Sequence, residues 1–372
     1  MTVIGAVVER RAQEGGLARH PSNWLEVTPA SVGFSDRLEE CFDSAQRAGA
    51  LKNLHGLVVV RQGMIAFERY FPGIDNARGR PLGQVSFGPE TLHDLRSVTK
   101  SIVGLLYGIA LSEGKVAAPA DNLLGQLPEY SDLAQDPERS QWSIAHVLSM
   151  TMGIEWDENG PYIDARNSEI AMDLAADPVR FVLERRIVTT PGQRWRYCGG
   201  ATALLGALIS RGTGENLHAY ARGKLFKPLG IAETEWVAAA DGVPFAASGL
   251  RMRPRDIARI GQLLIQGGTW EGESVVPRSW LRDRIEPVAV LEDGRRFAKH
   301  WYIGRFETGS GANRRVVPWS GAIGNGGQRL FVMPELDLVA VITAGNYNVA
   351  DQGRMPLMLM REIILPNLRL DA

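Results

Sequence analysis

Cysteine is scarce in this sequence: Cys41 and Cys198 are the two in 372 residues. They allow one disulfide at most, which excludes the cross-linked framework of a small secreted scaffold. Net charge is nearly absent as well. Lysine plus arginine total 41 and aspartate plus glutamate 42, a formal charge of −1, so no broad field exists to draw in nucleic acid or an anionic membrane surface. No apolar run approaches the roughly 20 residues of a membrane-spanning helix; the longest, Ile102 to Leu111, carries Gly104 and Gly108. A leader pattern is missing too, since the mildly apolar Met1 to Val8 runs directly into Glu9-Arg10-Arg11. The expectation is a cytoplasmic protein with no nucleic-acid or membrane partner.

What is present is ordinary globular composition, with 45% hydrophobic and 22% charged residues, 41 Gly and 20 Pro. After an irregular lead-in, Phe34 to Ala48 has helical spacing. Gly56 to Arg61 and Met64 to Phe71, joined by Gln62-Gly63, read as a β-hairpin. Helical periodicity then dominates: Ser97 to Ser112, Ser143 to Met150, Asp177 to Arg185, Thr202 to Arg211, Leu217 to Leu225, Arg255 to Gln266 and Trp280 to Ile285. Strand signals return in Phe297 to Phe306, Arg314 to Trp319, Gln328 to Met333 and Leu338 to Ala344, before a closing helix over Met355 to Ile364. Strands at both ends and helices between them predict an α+β architecture, with one antiparallel sheet assembled from both termini. The expected division is a lead-in over 1–35, a sheet lobe from 36–92 and 290–372, and a mostly helical lobe over 93–289. The active site belongs at the seam.

Several chemistries have no foothold. There is no Gly-x-Ser-x-Gly, no His-Glu-x-x-His, no Walker A and no dinucleotide-binding glycine pattern. The six histidines form no ligand-spaced pair, so neither metal nor cofactor is expected. One pattern survives, Ser97-Val98-Thr99-Lys100. Residues three apart on a helix share a face, which brings the hydroxyl and the amine within reach of each other. Burial disfavours the ammonium, so Lys100 is expected to be neutral and to serve as base for a serine nucleophile. The bland alternative is an N-cap serine with a solvated lysine, and Ser112-Glu113-Gly114-Lys115 shows that the four-letter pattern alone is weak. Lys100, however, directly precedes Ser-Ile-Val-Gly-Leu-Leu, a poor place for a solvated face. Tyr197 opens a small-residue helix about a hundred residues on, where a phenol could shuttle a proton. The segment Ser320-Gly-Ala-Ile-Gly-Asn-Gly-Gly-Gln328 reads as the start of the penultimate strand, with backbone N–H groups free to bind an oxyanion.

Ser97-Val-Thr-Lys100, Tyr197-Cys-Gly199 and the glycine-rich segment, in that order, resemble the three motifs of the penicillin-recognising serine hydrolases. The resemblance runs from about Leu57 to Asn346 and is greatest to the 6-aminohexanoate-dimer hydrolase and carboxylesterase branch. It implies the β-lactamase/transpeptidase-like fold, with Ser97 as acylated nucleophile, Lys100 as its base partner and Tyr197 as the second proton-transfer group. The oxyanion hole would be the N–H groups of Ser97 and Asn325, aligning Ala322-Ile323-Gly324 with the third motif; the other register makes Gln328 the donor. Ala322 stands where β-lactamases and peptidases carry a cation, and Gly199 where Asn or Ser is common. Both departures favour small ester or amide substrates over penicillins or D-Ala-D-Ala peptides. Tyr162 resembles a substrate-contacting tyrosine of that branch, with a tyrosine packed under its loop as the alternative. Asp173 is the candidate acid for a substrate amine, against a plain surface acid, and an Asn of the relatives falls at Ala247. Trp156, Trp236, Trp270, Trp280 and Trp319 read as core residues, with a pocket wall as the alternative for Trp301 and Trp319; His300 reads as structural, and Arg251 to Arg259 as a solvated basic face paired with Asp256. A monomer or homodimer is expected.

Overall fold

The computed structural model describes residues 24–282, 289–309 and 314–369. Most of the lead-in and the end of the Trp280–Ile285 helix lie outside them. Eight strands form one antiparallel sheet: β1 (Leu54–Arg61), β2 (Met64–Tyr70), β3 (Ala289–Val290), β4 (Arg296–Ala298), β5 (Trp301–Thr308), β6 (Arg315–Gly324), β7 (Gln328–Met333) and β8 (Leu338–Ala344). Their spatial order is β3-β4-β5-β6-β7-β8-β1-β2, so the amino-terminal hairpin joins the carboxy-terminal meander through the β1–β8 pair. The architecture is α+β, as the distribution of strand and helix signals predicts.

β1 is apolar almost throughout because both faces of the sheet are covered. Val58 and Val60 enter a core shared with the helical region, while Leu57 and Val59 enter a second core under the terminal helices. That second layer is built by α1 (Leu38–Arg47), which buries Leu38 and Phe42, and by α5 (Arg354–Met358) with the helical turns that follow it. On the opposite face lie α2 (Val98–Ser112), α3 (Gly199–Thr213) and α4 (Pro254–Ile265). α2 packs on α3 and on β6 and β7, and α4 packs across β1, β7 and β8. The sheet thus recruits a helix from the middle of the chain.

The two glycines in the apolar helix α2 mark close approaches. A Cβ on Gly104 would lie 2.3 Å from Lys299 O, and one on Gly108 would lie 2.3 Å from the Trp280 ring. No helix among the described residues is long and apolar enough to cross a membrane.

Three local expectations are corrected. Phe297 to Phe306 is not one strand: Lys299 and His300 take φ of 51° and 64° and fold it into a tight turn between β4 and β5. Two consecutive left-handed residues suit the twist of a hairpin, but Lys-His lacks the Asn-Gly signature that announces it. The segment Ser320 to Gln328 does not begin a strand. It is the end of β6 and a hairpin turned at Gly326 and Gly327 (φ 91° and 100°), whose flexibility the turn requires. Arg251 is also no part of a solvated helix face. It sits in the short strand Leu250–Met252, 6% exposed, with both terminal nitrogens 3.1 Å from Asp75 Oδ2.

Candidate active site

The chain enters α2 through a constrained turn. Arg96 has φ 47°, and the Asp94 carboxylate holds it there by accepting the Arg96 N–H at 3.0 Å and the Arg78 N–H at 2.7 Å. Ser97 follows at the N-cap position, yet its side chain makes no capping bond. Its Oγ instead accepts from Lys100 Nζ at 3.1 Å. The capping alternative is thereby excluded, and so is the solvated lysine, because Lys100 is 2% exposed.

All three ammonium protons of Lys100 have partners: Ser97 Oγ, Glu169 Oε2 at 2.9 Å and Ala247 O at 2.9 Å. The expectation of a neutral lysine is corrected here. Burial pulls Lys100 toward the amine, but Glu169, Tyr197 and Glu158 outweigh it and raise its pKa above the ordinary lysine value. Glu169 is fully buried and burial opposes its charge, but Lys100 and Arg78 hold the carboxylate ionised, below the usual range. Its other oxygen accepts from Ser248 Oγ at 2.8 Å, with Arg78 3.6 Å away.

A second carboxylate, Glu158, lies beside the first. It accepts from Tyr162 Oη at 2.8 Å, from the Trp156 indole and from the Gly199 N–H. Burial pushes Glu158 up to about 7, Lys100 opposes the shift and Glu169 adds to it. Tyr197 stands over this cluster with its ring centroid 5.0 Å from Lys100 Nζ and its phenol against the Ser97 hydroxyl. Burial raises Tyr197 to about 12 against the pull of Lys100.

The other residues singled out in the sequence are placed as follows. A Cβ on Gly324 would lie 2.5 Å from Leu95 O, so the end of β6 abuts the turn that carries Ser97. Among the described residues, neither the Ser97 nor the Asn325 N–H donates to a protein acceptor. Gln328 is the strand partner of Gly324 rather than a turn residue. Ala322 is completely buried and offers no charge. Tyr162 is tied to Glu158. Asp173 is neither a surface acid nor open, since its carboxylate is paired with Arg78; burial raises Asp173 to about 6. Ala247 contributes its carbonyl to Lys100, a role its side chain could not signal. His300 is buried, and its carbonyl accepts from Ser101 Oγ at 2.6 Å.

Glu158, Glu169, Arg78 and Ser248 escape sequence reasoning. Glu169 is the second residue of a short helix, Ser168–Asp173, capped by the Asn167 side chain, and an acid there reads as routine helix-terminus chemistry.

Among the described residues, one group has metal-ligand character, His55, Asp75 and His93, all buried. Its atoms already satisfy one another. His55 Nδ1 and His93 Nε2 are 2.9 Å apart, His93 Nδ1 meets Asp94 O at 2.9 Å, and Asp75 is held by Arg251 and Tyr347.

An antiparallel sheet flanked by helices, with a buried serine–lysine pair and a tyrosine beside it, defines a serine hydrolase of the β-lactamase fold. The family model described as Beta-lactamase matches residues 34–357, and the chain belongs to that family. It is similar to the 6-aminohexanoate-dimer hydrolase of Paenarthrobacter ureafaciens, 28% identical over 285 residues that cover 69% of this chain and 67% of that one. It is also similar to esterase EstB of Burkholderia gladioli, 29% identical over 216 residues, 56% of this chain and 53% of that one. Among solved structures, a penicillin-binding protein homologue from Caulobacter crescentus superposes with a TM-score of 0.62 at 19% identity, covering 88% of this chain and 97% of the other.

Proposed function

We propose that this enzyme hydrolyses carboxylic esters and small linear amides, of the 6-aminohexanoate-oligomer kind, through an acyl-enzyme on Ser97. The observation that carries the reading is the line Ser97 Oγ–Lys100 Nζ–Glu169 Oε2, with steps of 3.1 and 2.9 Å. Because Lys100 is held as the ammonium, it accepts the serine proton only while giving one of its own to Glu169. The net transfer is from serine to carboxylate, and the lysine keeps its charge beside the forming bond.

Ser97 Oγ then bonds to the substrate carbonyl carbon. The oxyanion is received by the free N–H groups of Ser97 and Asn325. Tyr197 gives its phenol proton to the departing alcohol or amine as the carbonyl–leaving-group bond breaks, and it regains a proton through Lys100 from Glu169. In deacylation, water attacks the acyl carbonyl, its proton follows the same route, and Ser97 leaves protonated. No metal or cofactor has a part in this scheme.

The names of the relatives support both substrate kinds, a dimer hydrolase and an esterase. The apolar, uncharged Ala322 supports them over substrates whose carboxylate needs a cation there. A panel of p-nitrophenyl esters of rising acyl length, run beside 6-aminohexanoate dimer and nitrocefin, tests the reading. Ester or dimer turnover with nitrocefin slower by about a hundredfold or more, the worth of a missing charge pair, is expected. Nitrocefin turnover equal to the best ester would make it a β-lactamase instead. Binding of acyl compounds without acylation would make it a ligand-binding module.

A further inference from the structure

The peptide group between Gly324 and Asn325 is gripped on its carbonyl side. Arg329, the second residue of β7, donates from one terminal nitrogen to Gly324 O at 3.1 Å and to Gln328 O at 2.8 Å. Gly324 O and the Asn325 N–H belong to one peptide, and in a trans peptide they point in opposite directions. A cation on the carbonyl therefore leaves the N–H facing the other way, with its dipole strengthened.

The environment of Arg329 is unusual for an arginine. It is 7% exposed, and among the described residues no carboxylate shifts it: the groups that do are the Tyr302 phenol and Arg295. Burial lowers its pKa, to about 10, which still leaves it protonated at neutral pH. Burying a cation without an acid partner is costly, and two carbonyl groups alone could be satisfied by neutral donors. The far side of the turn is braced as well. Gln328 Nε2 donates to Asn325 O at 3.2 Å and to Ala344 O at 2.6 Å, and the Asn346 N–H donates to Gly326 O at 3.0 Å. Both peptides flanking Asn325 are thus held by side chains from the base of the hairpin.

We propose that Arg329 is a positioning residue of the oxyanion hole: its bond to the Gly324 carbonyl orients the Gly324–Asn325 peptide and polarises the Asn325 N–H toward the oxyanion. The inference rests on the reading of Ser97 as nucleophile and Asn325 as donor.

The test combines acylation kinetics with infrared spectroscopy of the acyl-enzyme, using an ester ¹³C-labelled at the carbonyl. The enzymes are wild type, Arg329→Met, Arg329→Gln and Arg329→Lys, each confirmed as folded by circular dichroism. The neutral variants should acylate roughly tenfold more slowly or worse, with KM little changed, as expected when a donor is weakened rather than removed. Their acyl carbonyl band should move to higher frequency, because the oxyanion hole pulls less on that bond; a merely structural role would not move it. Arg329→Lys should recover part of both effects. If Arg329→Met does not fold, Arg329→Gln, which retains a donor for one carbonyl, carries the comparison. A folded neutral variant with the wild-type band and acylation within twofold would overturn the proposal while leaving the Ser97 reading intact. Absence of any Ser97 adduct in the wild type would overturn both.

Discussion

Glu169 Oε2 occupies the space that a side chain on residue 199 would need: a Cβ built on Gly199 lies 2.4 Å from that oxygen and 3.0 Å from Glu158 Oε1. The glycine of the second motif and the carboxylate on Lys100 are therefore one feature. Gly199 leaves the room that these two acids fill.

Gly199→Asn should consequently damage the site. The new side chain must displace Glu169, which Lys100 and Ser248 hold, and overpacking of this kind costs about 1–3 kcal/mol. Acylation by p-nitrophenyl acetate should fall about tenfold or more, because the proton relay loses its alignment. Stopped-flow burst kinetics with thermal melting would check both. Faster acylation in the variant would contradict the coupling.

Glu169→Gln should change the pH profile more than the maximum rate. In the wild type the final proton acceptor is a carboxylate held below the usual range, so activity is retained well into acid. Without that carboxylate, Lys100 itself must deprotonate to act as base. The acid limb of kcat/KM should therefore move to higher pH by two units or more, a shift read directly from the profile. An unmoved limb would mean that Glu169 takes no proton.

Glu158 makes a prediction about stability. Burial, opposed by Lys100 and aided by Glu169, raises its folded pKa to about 7 from an ordinary 4.5. The folded state thus binds the proton more tightly than the unfolded chain does. This contribution is full below pH 4.5, declines as pH rises toward 7 and is gone above it. Glu158→Gln keeps a neutral side chain at every pH, so its stability relative to wild type should improve between pH 5 and pH 8 by up to about 3 kcal/mol. Denaturant melts at the two pH values measure the difference. A constant difference would place the proton elsewhere.

The order of helices and strands was legible in the sequence because burial on one or both faces leaves periodic apolar residues, as in β1 and α2. The Ser97–Lys100 pair was legible because helical spacing alone brings the two together. The tight turn at Lys299-His300 was not, since its left-handed backbone is imposed by packing on α2: Lys299 O reaches toward Gly104 and His300 O accepts from Ser101. Nor could the charge state of Lys100 be read. Desolvation predicts a neutral amine, and what reverses it is Glu169, 69 residues away along the chain. A helix-terminal acid becomes part of a site only when tertiary folding aims it at one.

The central claim is that Ser97 is acylated. Intact-mass and peptide mass spectrometry after treatment with a p-nitrophenyl phosphonate tests it most directly. One adduct per chain is predicted, located on Ser97, absent in Ser97→Ala and accompanied there by loss of ester turnover. An adduct on another residue, or a Ser97→Ala protein that still turns over ester at the wild-type rate, would contradict it.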